Sequence, residues 1–271
     1  MRIISNLKKI ANIAGAGKVA SMAKYRNRIG NENVKLVQIG QEKWSNSDMK
    51  NKLEEFSGLY GIRPEKNNTY GMKSPQLFLS WFIMQAEKPE YIIESGVYKG
   101  LGTWFFEKAC PGAKIHSIDI ALQQRKYISN NVIYHNKDFL GIDWNVIEKQ
   151  KTICFFDDHQ NAVERVKFLE NSGFKRMIFE DNYPTGQGDC YSFKQAFDRD
   201  GEDAAYLRSV LKVYSELPPV FMTEKTRWGD VWSQEKYPTP EPLYRNIEKD
   251  YLQIFFDEAI YYNWMCYAEI K

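Results

Sequence analysis

Five short apolar segments alternate with segments of helical pattern in the middle of the chain, and this alternation restricts the fold more than any other feature. The apolar segments are residues 91–94, 114–120, 132–134, 152–156 and 176–180. Helical patterns between them cover residues 101–110, 122–130 and 162–172. Strands joined by helical crossovers pair in parallel and carry helices on both faces. The sequence therefore predicts a doubly wound α/β fold.

The last third of the chain departs from this alternation. Residues 203–216 have a helical pattern, which Pro218 and Pro219 bring to an end. Residues 226–242 form a long polar stretch with tryptophan and proline, and loops of this length are often lids or substrate walls. Two aromatic-rich segments, 251–256 and 261–270, predict two more strands or a hairpin.

The N-terminal part stands apart in charge. All seven charged residues among the first 28 are basic, and apolar side chains recur there at helical spacing. Such a helix can lie on an anionic membrane surface, or it can pack on its own domain or on a partner subunit of a homo-oligomer. Gly15 and Gly17 limit its length and favour the second interpretation. We expect residues 1–73 to be a basic, helical extension and residues 74–271 the main domain.

Composition excludes several classes of protein. The chain has 271 residues, of which 43% are hydrophobic, so it is globular rather than disordered. A net charge of +2 gives no electrostatic case for nucleic acid as a partner. The four cysteines form no C-x-x-C pair, and no apolar run approaches the roughly 20 residues of a membrane span. With no recognisable secretory signal, we expect a cytoplasmic protein.

The turn after the first predicted strand is rich in glycine. It reads Glu94-Ser95-Gly96-Val97-Tyr98-Lys99-Gly100-Leu101-Gly102-Thr103. Glycines permit a tight turn and a close approach of the backbone to a ligand, but their spacing is not the G-x-G-x-x-G dinucleotide fingerprint. An acid at the strand end suits a ligand with an ammonium group, such as the methionine part of S-adenosylmethionine (SAM).

Two more predicted strands also end near acids. Asp119 is placed to accept the two ribose hydroxyls of such a cofactor, and Asp138 to meet its adenine. For each acid taken alone, a polar residue at a strand end is the interpretation that we would accept. Three acids at three successive strand ends favour a ligand site, because ligands of open α/β sheets bind at those ends.

Residues 94–103 resemble the first motif of macrocin-type sugar O-methyltransferases and of the related family named for cephalosporin hydroxylase. Their motif is an acid, one residue and Gly-Val-Tyr-Lys-Gly, and the resemblance extends over about residues 74–198. It implies a Rossmann-like SAM methyltransferase fold with a mostly parallel seven-stranded sheet and helices on both faces. The implied cofactor contacts are Glu94, Gly96, Val97, Tyr98, Lys99, Gly100, Thr103, Asp119, Asp138 and Asp157.

Two acidic groups follow the fourth and fifth predicted strands. They are Asp157-Asp158-His159 and Glu180-Asp181-Asn182. Carboxylates that share a small space repel one another, and Mg²⁺, which prefers oxygen ligands, relieves that repulsion. The alternative is that the aspartates are helix N-caps.

The resemblance implies two different ligand sets for this metal. The macrocin-type pattern gives Asp157, Glu180 and Asp181. The catechol-type pattern gives Asp158, Asp181 and Asn182. Asp181 is common to both, so the metal prediction rests most firmly on it.

His159 is the candidate general base, because an imidazole can accept a hydroxyl proton near neutral pH. We predict His159 and Asp158 as catalytic residues, against the alternative that His159 is a polar residue without a role. His116 and His135 are interpreted as structural. Aromatic side chains at Tyr183, Trp228 and Trp232 are equally consistent with stacking on a sugar and with loop packing.

The resulting prediction is a SAM-dependent O-methyltransferase that uses Mg²⁺ and methylates a hydroxyl of a sugar, glycan or natural product. Two alternatives remain open. One is a metal enzyme of another type on the same scaffold, with hydroxylase-like chemistry. The other is a binding protein that has kept the fold without catalysis.

Overall fold

A computed structural model describes residues 36–271 of the chain. The basic segment predicted to contact a membrane, the domain itself or a partner lies in residues 1–35, outside the described residues. Within residues 36–271, no helix is both long and apolar enough to cross a membrane.

One seven-stranded sheet organises the described residues, in the order β3-β2-β1-β4-β5-β7-β6. The strands are β1 (Tyr91–Ser95), β2 (Lys114–Ile118), β3 (Val132–His135), β4 (Thr152–Phe156), β5 (Arg176–Phe179), β6 (Leu211–Glu216) and β7 (Cys266–Ile270). The first five pair in parallel, and β7 is antiparallel to both neighbours. This topology is the Rossmann-like methyltransferase fold, and it confirms the predicted fold class.

Helices cover both faces of the sheet. They are α1 (Asn46–Lys50), α2 (Leu53–Gly61), α3 (Ser74–Glu87), α4 (Leu101–Ala109), α5 (Ala162–Ser172), α6 (Phe193–Arg199), α7 (Glu202–Val210) and α8 (Gln253–Asp257). The strands alternate their side chains between two hydrophobic clusters: Ile92 packs in one and Ile93 in the other. Both clusters are therefore anchored on the same central strands.

The helices before residue 74 pack into the first of these clusters. Leu53 and Phe56 of α2 are fully buried, and the Phe56 ring stacks on Phe105 of α4 at a centroid distance of 5.1 Å. Ser45 caps α1 through a capping box with Asp48. The division of the chain at residue 74 remains a prediction, and the described part of the extension packs directly on the main domain.

Three predicted elements differ from the structure. The helix predicted over 122–130 is only a short 3-10 turn, Leu122–Gln124. The helix predicted over 203–216 ends at Val210, and the next six residues form β6, where Val213 and Tyr214 are buried beside β7. The helical period of this segment continues through Leu211, so the sequence pattern conceals the change to extended backbone. Residues 251–256, predicted as a strand, form a 3-10 turn followed by α8.

Candidate cofactor and metal site

The glycine turn after β1 is tight and touches the end of β4. Gly96 has φ +101°, and a Cβ added there would lie 2.1 Å from the carbonyl oxygen of Asp157. Gly100 has φ +84°, and its Cβ would lie 2.6 Å from the carbonyl oxygen of Tyr127. Only glycine fits both the conformation and the space at these positions. The turn thereby brings the ends of β1 and β4 into contact.

Glu94 is completely buried behind this turn. Thr103 Oγ1 and Ser117 Oγ both donate to its Oε2, at 2.5 and 2.6 Å. Burial raises its pKa to about 7, although these two hydrogen bonds lower it in part. Its second oxygen, Oε1, has no hydrogen-bond partner among residues 36–271. A buried acceptor of this kind fits a cofactor that brings a cationic donor.

Asp119, predicted to accept ribose hydroxyls, is bonded to the glycine turn. Its Oδ2 accepts from the backbone N–H groups of Val97 and Tyr98 at 3.0 and 2.9 Å, and its Oδ1 accepts from Ala121. The carboxylate thus fixes the backbone of the turn. Its role towards a ribose remains a prediction.

The other predicted cofactor contacts surround the same turn. Val97 is buried, whereas Tyr98 and Lys99 are half-buried. Their side chains donate to the backbone carbonyl groups of Thr69 and Asn67, so the segment before α3 is bonded over the turn.

Asp138 and Asp158 are joined by a residue that the sequence analysis missed. Arg165 of α5 is only 3% exposed, and its guanidinium lies 3.0 Å from Asp138 Oδ2 and 2.8 Å from Asp158 Oδ2. Ser95 Oγ also donates to Asp158. The Arg165 side chain lowers the pKa of Asp138, whereas burial raises that of Asp158. Asp158 is thereby committed to a local network, and its catalytic role remains a prediction.

The aspartates after β4 do not cap the next helix, which was the alternative to a metal site. The N-cap of α5 is Asn161, whose side chain accepts from the backbone of Val163 and Glu164. The corresponding cap of α6 is Ser192.

Three side chains converge where β4 and β5 end. One ligand atom from each of Asp157, His159 and Asp181 lies within 4.8 Å of the others. Asp181 is 6% exposed, and its Oδ2 is paired with His159 Nδ1 at 3.0 Å. Burial together with the charge of Asp181 raises the pKa of Asp157 well above its usual range. Two carboxylates and one imidazole at this spacing are a set of side chains that can hold a divalent cation.

His159 lies between two carboxylates. Its Nδ1 is 3.0 Å from Asp181 Oδ2 and 3.0 Å from Asp189 Oδ1, and the ring is 53% exposed. Hydrogen bonds to Asp181 and Asp189 raise the pKa of His159 to about 12. Burial would raise the pKa of Asp181, but the bond to His159 outweighs it and lowers that pKa to about 2. In this arrangement the histidine is an imidazolium. Asp189, from the loop after β5, had no signal in the sequence pattern.

The remaining predicted ligands face different partners. Glu180 is buried, and its Oε1 accepts from Asn263 Nδ2 at 2.7 Å. Asn182 donates to the hydroxyl of Tyr214 and accepts from the backbone N–H of Lys194, so its amide is used at β6 and α6. The structure thus brings Asp157, His159 and Asp181 together, whereas the side chains of Asp158 and Asn182 form hydrogen bonds with other residues. The ligand assignment itself remains a prediction.

The long loop at residues 226–242 packs beside this acidic group. Trp228 meets Tyr183 edge-on at 5.0 Å, and Trp232 stacks on Trp264 at 4.8 Å. Buried Gln187 ties the loop down, since its amide nitrogen donates to Asp230 and to the Tyr237 hydroxyl. The predicted sugar-stacking aromatic residues therefore lie in packed loop structure next to the acids.

His116 and His135 lie on β2 and β3, away from this acidic group. Their ring nitrogens Nδ1 and Nε2 are 3.0 Å apart, and both rings pack against Trp144. Burial lowers the pKa of both histidines. This environment is that of neutral, structural histidines.

Fold and site together define a class: a Rossmann-like methyltransferase fold with a glycine turn after β1 and acidic groups after β4 and β5. No protein-family model matches the chain, and no curated protein matches its sequence. Several solved structures are similar to it in fold.

The apo structure of CmcI-N160 is 20% identical, with a TM-score of 0.41 over 55% of this chain and 68% of its own. The SAH-bound methyltransferase PaMTH1 of Podospora anserina is 13% identical, with a TM-score of 0.40 over 73% and 86%. An O-methyltransferase from Bacillus cereus in complex with SAH is 13% identical, with a TM-score of 0.36 over 51% and 68%. At these identities the similarity concerns the fold alone.

Proposed function

We propose that this chain is a SAM-dependent O-methyltransferase that uses Mg²⁺ and acts on a hydroxyl of a sugar, glycan or natural-product acceptor. The observation that carries the proposal is the group formed by Asp157, His159 and Asp181 at the strand ends. This group adjoins the glycine turn, because Gly96 packs directly against the Asp157 carbonyl. The proposed cofactor-binding site and the proposed cation-binding site are therefore adjacent.

The proposed SAM-binding site is formed by the turn after β1. Gly96 and Gly100 leave the backbone free of side chains, and Glu94 offers a buried oxygen without a partner to the ammonium group of the methionine part. Asp119 keeps the turn in shape through the N–H groups of Val97 and Tyr98. The cofactor supplies an electrophilic methyl group when bound, and the protein contributes proximity and orientation.

The seat for Mg²⁺ is formed by Asp157 and Asp181, with Glu180 beside them. Their oxygens are the ligand type that this ion prefers, and Asp181 Oδ2 would exchange its 3.0 Å contact with His159 Nδ1 for the ion. A cation held there supplies positive charge that lowers the pKa of a neighbouring hydroxyl.

His159 is the residue that we propose to take the proton of the acceptor hydroxyl. Its Nδ1 faces Asp181 and Asp189, so Nε2 is the ring nitrogen left for an acceptor. Asp181, one of the two carboxylates whose hydrogen bonds raise the pKa of His159, is also proposed to hold the cation, whereas Asp189 is not. A cation at Asp181 would neutralise part of that negative charge and lower the pKa of His159, which favours the imidazole as a proton acceptor.

The sugar or glycan acceptor is supported by the resemblance of the first motif and by the aromatic side chains beside the acids. Trp228 is half-buried and stands edge-on to Tyr183, which immediately follows the Glu180-Asp181-Asn182 group. Aromatic faces next to a polar catalytic group suit a ring that has both apolar faces and hydroxyl edges.

The test is isothermal titration of the protein with S-adenosylhomocysteine, with and without Mg²⁺. We expect micromolar binding of S-adenosylhomocysteine, and a separate Mg²⁺ binding isotherm in its presence. Asp181→Ala should retain S-adenosylhomocysteine binding. Its Mg²⁺ affinity should fall by about a hundredfold or more, because loss of a direct metal ligand costs at least as much as mutation of an outer-sphere partner, which costs about 10–100-fold. No S-adenosylhomocysteine binding under either condition would exclude the methyltransferase proposal. Unchanged Mg²⁺ affinity in Asp181→Ala would exclude this metal seat.

A further inference from the structure

Asn263 is the side chain that holds Glu180. Its Nδ2 donates to Glu180 Oε1 at 2.7 Å, across 83 residues of sequence. Both side chains are buried, with Asn263 only 1% exposed. The Glu180 carboxyl group also contacts the adjacent Asp181 carboxylate. Asn263 is therefore the amide donor that holds one oxygen of Glu180, beside this contact between acids.

The backbone around Asn263 gives that amide a fixed position. Because β7 runs antiparallel to β5, Cys266 pairs with Phe179, and the residues before β7 lie beside Glu180. On one side of Asn263, the Tyr262 hydroxyl donates to the carbonyl group of Leu217. On the other side, Trp264 has φ +53° and is fully buried.

Trp264 also connects this segment to the long loop. Its ring stacks on Trp232 with an interplanar angle of 13°. The backbone next to Trp264 is bonded as well, since Leu217 donates its N–H to the carbonyl group of Met265. A non-glycine residue keeps a left-handed conformation only where its surroundings determine it strongly. The residues on both sides of Asn263 are thus held in place, so the Asn263 amide has little freedom to rotate away from Glu180.

We infer that Asn263 is a positioning residue for the proposed metal seat, because its amide holds one oxygen of Glu180 and thereby presents the carboxylate to the cation bound by Asp157 and Asp181. This inference rests on the proposed function. The sequence gives no hint of it, since Asn263 lies outside the stretch that resembles the methyltransferase motif. The Asn263 amide would act as an outer-sphere hydrogen-bond donor, which orients a metal ligand without contacting the metal.

The experiment is a titration of the full chain with Mg²⁺ alone as ligand, at saturating S-adenosylhomocysteine, in wild type and Asn263→Ala. We expect the variant to bind Mg²⁺ about 10–100-fold more weakly, with an unchanged affinity for S-adenosylhomocysteine. Asn263→Leu, which keeps the branched shape of the side chain and lacks the donor, should show the same loss and serves if the alanine variant does not fold. Ser80→Ala, which removes an equally buried donor within α3, should bind Mg²⁺ as wild type does.

A double-mutant cycle separates positioning from general damage. If Asn263 acts through Glu180, Asn263→Ala should cause no further loss of Mg²⁺ affinity in a Glu180→Gln background. Wild-type Mg²⁺ affinity in both Asn263 variants would overturn the inference and leave the metal seat intact. An additive loss in the cycle would also overturn it. Absence of Mg²⁺ binding to the wild type, with S-adenosylhomocysteine still bound, would remove the metal proposal and this inference together.

Discussion

The acids at the strand ends form two groups that differ in how they are satisfied. On the cofactor side, Glu94 and Asp119 receive hydrogen bonds from nearby hydroxyl and backbone N–H groups. On the side proposed for the metal, Asp157 and Asp181 lie close together, and the charged partner of Asp181 is the exposed His159, at 3.0 Å. Both groups arise from the same pattern, an acid where a buried strand ends.

The difference shows what each group can do. A carboxylate that already holds a backbone turn in place acts as part of the scaffold. Only its remaining hydrogen-bond acceptor sites are available to a ligand. Carboxylates that lie close together repel one another and depend on a cationic partner, which in this structure is His159. The group of Glu94 and Asp119 is therefore built mainly by its own hydrogen bonds, whereas the group of Asp157 and Asp181 depends on a cation, and the proposed function places Mg²⁺ there.

Arg165 bridges Asp138 after β3 and Asp158 after β4, and its loss should have the largest effect on stability. The Arg165→Met variant leaves Asp158, which is largely buried, without its cationic partner. Removing one member of a buried pair costs about 3–5 kcal/mol, because a charge stays buried without compensation. Urea denaturation followed by circular dichroism measures this cost.

The matched control is Arg208→Met. Arg208 pairs with Asp200 at 3.0 Å, against 2.8 Å between Arg165 and Asp158, but both of these side chains are exposed. Surface pairs contribute about 0–1 kcal/mol, so this variant should unfold nearly as wild type does. Equal losses of stability in the two variants would contradict a special role for Arg165 as the bridge between Asp138 and Asp158.

Substitution of Gly96 tests whether the conformation of the glycine turn depends on its contact with the end of β4. Gly96→Ala places a Cβ against the Asp157 carbonyl at a residue with φ +101°. Strain and overpacking of this kind each cost about 1–3 kcal/mol. We expect a clear loss of stability in thermal denaturation, together with weaker S-adenosylhomocysteine binding. In Gly58→Ala, where nothing lies within 4 Å of the added carbon in α2, stability should be unchanged or slightly higher. Wild-type behaviour of Gly96→Ala would show that the turn and β4 are independent.

Sequence reasoning succeeded where local pattern decides the structure. The strands from β1 to β5 and the glycine turn follow from apolar runs and glycine spacing. It failed at β6, because the helical period of α7 continues into Leu211 and the partner strand β7 lies 50 residues away. Arg165, Asp189 and Asn263 were missed for the same reason: each meets its partner through the topology of the sheet and not through neighbouring sequence.

The smallest expected effect concerns the pH dependence of the cofactor side. Burial raises the folded-state pKa of Glu94 from its ordinary value of 4.5 to about 7. Between those values the folded protein binds this proton more tightly than the unfolded chain does, so Glu94 makes stability fall as pH rises from about 4.5 to about 7. Each unit of pKa difference corresponds to about 1.4 kcal/mol.

Glu94→Gln removes this titration while keeping the shape of the side chain. Relative to wild type, the variant should therefore gain stability as pH rises from 5 to 8, as measured by urea denaturation of cofactor-free protein at both values. Glu54→Gln, on the exposed side of α2, is the control and should follow the wild-type profile. If wild type and Glu94→Gln lose or gain stability in parallel, Glu94 is already ionised in the folded protein. Its two hydroxyl donors would then satisfy the charge fully, and the cofactor side would differ from the metal side even more than its burial suggests.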